Sequence, residues 1–90
     1  METYAYIVED RKGKYQLRER EGNDAYQEDV SLGNQWGFKV VKCFVLPEER
    51  SKELAEILLS LSRFVEEGQK DLSGLETRVK TIANDVTVLV

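Results

Sequence analysis

The chain contains no histidine, a single cysteine, Cys43, and a single proline, Pro47. With Cys43 alone no disulfide forms within the chain. With neither histidine nor a second thiol, the usual zinc-ligand sets are excluded. The lack of histidine also removes the commonest general base at neutral pH. No apolar run approaches the ~20 residues that cross a bilayer. Met1-Glu2-Thr3-Tyr4 has neither the basic nor the apolar region of a secretory signal. A lone cysteine in an apolar run fits a reducing compartment, where it packs as a small hydrophobe. These absences predict a soluble, cytoplasmic protein with no membrane partner, metal or cofactor.

A chain of 90 residues, 41% hydrophobic and 33% charged, supports one small fold. Cores of this size are commonly stapled by disulfides, metals or partner chains. The first two are excluded, so self-association is expected. Net charge is -4, with 13 basic and 17 acidic residues, which counts against indiscriminate binding of polyanions. The balance is uneven, however. Residues 11–20, Arg-Lys-Gly-Lys-Tyr-Gln-Leu-Arg-Glu-Arg, hold five basic residues and one acid, while acids concentrate at 19–29, 48–56 and 66–76.

Residues 3–10 are rich in aromatic and β-branched types and read as a strand. Arg11-Lys12-Gly13-Lys14 is a turn, and Tyr15 to Arg20 reads as the returning strand of a β-hairpin. After a second turn signal at Glu21-Gly22-Asn23-Asp24, residues 25–32 give a weaker, polar strand suited to a sheet edge. Gly33-Asn34-Gln35 reads as a third turn. Trp36 to Leu46 is the strongest strand, apolar enough for contact on both faces.

Pro47-Glu48-Glu49 then reads as a helix start, with proline in the first turn and acids at the positive end of the dipole. From there apolar residues fall in 3-4 spacing. Leu58, Val65, Leu72, Val79 and Val86 occupy heptad a; Leu54, Leu61, Gly68, Leu75, Ile82 and Leu89 occupy d. Ile57, Leu59 and Phe64 widen the stripe before Gly68, as in a helix that also covers a sheet. Past Gly68 it narrows to a and d. The preferred reading is one helix of roughly 66 Å, at 1.5 Å per residue, straight or kinked at Gly68. Leu72, Leu75, Val79, Ile82, Val86 and Leu89 would pair with another chain, in an orientation left open. The alternative is a break at Gly68 or Ser73-Gly74, with the end folding back as a helix plus a strand over 86–90, which has real β-propensity.

Catalysis is poorly supported. No phosphate-cradling glycine loop is present. Glu9-Asp10, Glu48-Glu49 and Glu66-Glu67 read more simply as a turn, a helix start and a helix outer face. The expectation is a protein that is not an enzyme. The sheet is more suggestive. Period-two alternation puts Gln16, Arg18 and Arg20 on one face of the second strand. Trp36, Phe38, Val40, Lys42 and Phe44 share a face of the fourth. One helix covers one sheet face, leaving rings beside cations on the other. That combination suits single strands, whose bases stack on rings while phosphates meet cations. The same face would equally serve a protein partner, and the two readings stand level on the residues alone.

Asp10-Arg11-Lys12-Gly13-Lys14-Tyr15-Gln16-Leu17-Arg18, and Phe44-Val45-Leu46-Pro47-Glu48-Glu49 leading into Leu54, resemble the single-strand-binding modules of the Pur-alpha and positive-cofactor-four type. The added C-terminal zipper is similar to that of the archaeal ThermoDBP proteins. The resemblance implies a dimer that lays single strands across a basic, aromatic sheet.

The expected fold is therefore α+β: a four-stranded antiparallel sheet covered by one long C-terminal helix that continues as a dimerising coiled coil. Residues 1–66 would form the sheet with its covering helix and residues 67–90 the coil. The expected function is non-catalytic binding of single-stranded DNA or RNA. Lys12, Lys14, Arg18, Arg20 and Lys42 would meet phosphates, with Trp36, Phe38 and Tyr26 stacking on bases. The alternative is a protein-interaction or assembly module that binds no nucleic acid.

Overall fold

The computed structural model describes residues 1–47 and 49–90. β1 (Glu2–Glu9) and β2 (Tyr15–Glu21) form the hairpin read from the sequence, in antiparallel register with Tyr6 opposite Arg18. Its tip is held by the Asp10 carboxylate, which accepts from the backbone N–H groups of Lys12 at 2.8 Å and Lys14 at 2.9 Å. Those bonds, with that from Lys14 foremost, hold the Asp10 carboxyl below its ordinary range. Gly13 completes the turn at φ 80°, a left-handed conformation that favours glycine.

The chain then departs from expectation. Residues 25–32 are not an edge strand but the middle of a helix, α1 (Asn23–Trp36). Tyr26, Val30 and Gly33 recur at helical spacing and turn inward. Tyr26 and Val30 pack on the sheet, while Gly33 lies against Phe38. The helix stops at Gly37, left-handed at φ 84°, as the N–H groups of Gly37 and Phe38 return to the carbonyls of Asn34 and Gly33.

β3 (Lys39–Pro47) pairs with the other side of β1, and β4 (Thr87–Val88) pairs with β3, giving the antiparallel order β2-β1-β3-β4. β1 is thus central and buried on both faces. Its alternation sorts Tyr4, Tyr6 and Val8 into one core beneath α1, with Tyr26, Cys43 and Val45. Ala5 and Ile7 join Phe44 and Leu46 in the core on the opposite face. A bulge opposite Ile7 and Val8 shifts the register, so Ile7 faces Lys42 while Val8 faces Val40.

The second core overturns the expected coiled coil. Ser51 opens α2 (Ser51–Glu66), so Pro47 closes β3 rather than starting the helix; Glu48 lies outside the described residues. At Gly68 the backbone turns left-handed, φ 69°. The N–H groups of Gly68 and Gln69 bond back to Val65 and Phe64 at 3.1 and 3.2 Å, which ends the helix. Asp71 caps α3 (Leu72–Ile82) by accepting from the Gly74 N–H at 3.0 Å. α3 lies beside α2 on the same sheet face. Ile57, Leu61 and Phe64 of α2 and Leu75 and Val79 of α3 are buried together with Ala83 and Val86. Leu72 and Ile82 pack at the rim, and Leu89 is 48% exposed. The longest dimension of the molecule is 32 Å, half of what the continuous helix requires. Leu and Val at 3-4 spacing demand an apolar partner surface, and here that surface is the chain's own sheet. The break with a returning strand, the alternative weighed from sequence, describes this segment.

Candidate nucleic-acid interface

A helix on each face of the sheet leaves no open face of the kind expected. Arg18 and Arg20 point from β2 toward α1, opposite Tyr6 and Tyr4 of β1. There Asp29 of α1 meets both guanidinium groups, Arg18 Nη1 at 3.4 Å and Arg20 Nη2 at 3.2 Å. Asp29 also accepts a short hydrogen bond from the Tyr6 hydroxyl. Burial first, then this carboxylate, push the Tyr6 hydroxyl pKa well above its ordinary value, so the proton stays on oxygen. Phe38 is partly buried against the same core, its ring centre 5.2 Å from the Arg18 guanidinium. Tyr26 is buried and stacks on Tyr4 at 4.7 Å between centroids, with the Tyr6 ring edge-on at 5.0 Å. Lys42 lies on the other face, 13% exposed, with its ammonium 2.7 Å from Glu76. That bond is the main reason the Glu76 carboxyl sits below its ordinary range. Arg18, Arg20, Tyr26, Phe38 and Lys42 are therefore internal or already paired, and lie on two different faces.

The remaining predicted residues do come together, at one end of the sheet. Lys12 and Lys14 are exposed on the β1–β2 turn. Trp36, the last residue of α1, is 72% exposed. Arg11 joins the two groups. Its side chain lies so close over Gly37 that a Cβ there would stand 2.2 Å from Nε. Gly37 is thus needed both for its positive φ and for the space above it. Lys39 opens β3 at the same end, opposite Glu9. Lys70, from the loop between α2 and α3, donates to the Gly13 carbonyl and sits 3.6 Å from the Tyr15 ring centre.

Arg11, Lys39 and Lys70 are the members that sequence reasoning missed. Arg11 stands inside the basic run already noted. Lys39 and Lys70 arrive through tertiary folding and carry no local signal. The end as a whole carries Arg11, Lys12, Lys14, Lys39 and Lys70, with Trp36 joined to it through Arg11 over Gly37, and with Glu9 and Asp10 as the acids of the same turn. Asp10 is occupied by the turn's backbone. On a chain of net charge -4 this is a local reversal of sign.

Among the described residues no group of acidic, cysteine or histidine side chains could hold a metal ion. Among them, too, no helix is long and apolar enough to cross a membrane. In comparisons with protein-family models, curated proteins and solved structures, the chain matches none.

Proposed function

We propose that this protein binds single-stranded nucleic acid, without catalysis, at the hairpin end rather than across a sheet face. The observation that carries the reading is an exposed tryptophan at the same end as Arg11, Lys12, Lys14 and Lys39, none of which has an ion pair among the described residues. Trp36 offers a face on which a base can stack, and Arg11, Lys12, Lys14 and Lys39 offer contacts to successive phosphates. Lys70 is engaged by Tyr15 and Gly13 and serves to hold the turn in place. The heptad leucines and valines that would zip two chains are largely spent on the core, so this reading requires no second chain.

The size of the site sets what to expect. About four phosphate contacts on a single strand give a slope of log K against log salt near -2.8, at roughly 0.7 per contact. Affinity then falls about fifty-fold between 50 and 200 mM salt. The test is a titration with oligo-dT followed by Trp fluorescence, which reports Trp36 alone because the chain has one tryptophan. Stacking quenches the signal. Trp36→Ala, followed by anisotropy of a labelled oligonucleotide, should weaken binding by ~1–3 kcal/mol. Absence of quenching at 50 mM salt and micromolar protein would refute the proposal.

A further inference from the structure

β2 is the outermost strand of the sheet, with β1 on one side and, among the described residues, no strand on the other. Beside its far end from the hairpin, α1 and β2 enclose a cleft of about 210 Å³ lined by Arg20, Ala25, Glu28, Asp29 and Leu32. Leu32 is an exposed large apolar residue on this wall. A bare strand edge flanked by a helix-lined groove is the geometry in which an extended peptide adds as a further strand. Backbone hydrogen bonds supply affinity, and alternate side chains enter the groove.

The charges on this edge decide between occupants. On the α1 face, Arg18 and Arg20 are both held by Asp29, which leaves Glu28 with no ion pair among the described residues. On the opposite face, Leu17, Glu19 and Glu21 stand across from Ile7, Ala5 and Thr3. Neither Glu19 nor Glu21 has an ion pair among the described residues. A second copy of the chain is a poor occupant. Two β2 edges paired antiparallel about a two-fold axis keep their faces aligned. Central overlap then sets arginines among arginines and glutamates among glutamates, which is unfavourable for directly opposed residues. We infer that the β2 edge docks an extended peptide of a partner protein in which apolar residues alternate with lysine or arginine. The apolar side chains enter the cleft against Ala25 and Leu32, and the cations lie opposite Glu19 and Glu21. This site is separate from the hairpin end and stands whether or not that end binds nucleic acid.

The probe is a fluorescein-labelled peptide alternating lysine and valine over seven residues, titrated with the full chain and read by anisotropy. Two peptides serve as comparisons: one with glutamate in place of lysine, and one with the same lysines and valines grouped in blocks. The alternating basic peptide should bind best and should slow hydrogen exchange of β2 amides. Leu32→Glu and the double variant Glu19→Lys, Glu21→Lys change exposed or half-exposed side chains. Each should weaken binding by roughly tenfold or more while leaving the circular dichroism spectrum unchanged. Equal binding of the alternating and block peptides, or full binding by both variants, would overturn the inference. So would exchange protection confined to the hairpin turn.

Discussion

Leu75 and Leu89 occupy the same position, d, of the heptad pattern, and the fold gives them opposite fates. Leu75 is 1% exposed and sits in the core that includes Phe44, Leu46, Ile57, Leu61 and Phe64. Leu89 lies at the rim of the sheet, 48% exposed, past the short strand β4. Truncating a buried leucine to alanine removes its transfer free energy and leaves a cavity, at a typical cost of ~2–5 kcal/mol. For a domain whose whole stability is of order 5–15 kcal/mol, that is a large fraction. At about 4–8 °C per kcal/mol for a chain this short, even the lower figure lowers Tm by ~8–16 °C. Leu89→Ala, in contrast, should stay within about 0.5 kcal/mol, as exposed substitutions usually do. Thermal unfolding of both variants and the parent, each at two protein concentrations tenfold apart, makes the comparison. In a coiled coil, both substitutions would loosen the pairing and Tm would rise with concentration in the parent. Matched effects of the two variants with a concentration-dependent Tm would refute the placement of Leu75 in the chain's own core.

Burial pushes the Cys43 thiol up to about 11 from an ordinary 9.0, the bond with Tyr26 opposing this only in part. The folded state therefore keeps a proton that the unfolded state releases. That stability is fully present below pH 9 and is lost as pH rises from about 9 toward about 11, with the raised Tyr6 and Tyr26 hydroxyls acting in the same direction. A urea midpoint clearly lower at pH 10.5 than at pH 8 is expected, and an unchanged midpoint would contradict it. Asp29→Ala strips the acceptor from Tyr6, Arg18 and Arg20 together. It should cost ~1–3 kcal/mol and speed hydrogen exchange in α1 more than in α3; uniform acceleration would show that Asp29 does not anchor α1.

The parts of the fold legible in the sequence are those with a strong local period. The hairpin of β1 and β2 shows in aromatic and β-branched residues around a glycine turn, and β3 shows in its apolar run. α1 was hidden because its inward stripe is short. Only Tyr26 is fully buried, and the polar residues around it are compatible with an edge strand. Reading α1 as a strand also misdirected Arg18 and Arg20, which look solvent-facing until a helix bearing Asp29 is laid over them. The 3-4 pattern after Ser51 correctly marks apolar helical stripes, but periodicity is blind to whose surface they cover. Gly68 held the decisive information: a glycine at a d position in a left-handed conformation ends a helix rather than kinking it. At the candidate site, Lys12 and Lys14 were visible as part of a basic run, and Trp36 as a lone large aromatic. Their assembly with Arg11 and Lys39 depends on the Gly37 cap, which is a tertiary fact.

The most direct test sets the hairpin end against the sheet face expected from sequence, by measuring oligo-dT affinity at 50 mM salt for two multiple variants. One carries Arg11→Ala, Lys12→Ala and Lys14→Ala; the other carries Arg18→Gln and Arg20→Gln. Placement of the site at the hairpin end predicts that the first loses most of its affinity and that its salt slope shrinks toward zero by about 0.7 per cation removed. The second should bind like the parent wherever its circular dichroism spectrum shows it folded. Loss of binding in the folded second variant with retention in the first would contradict the account.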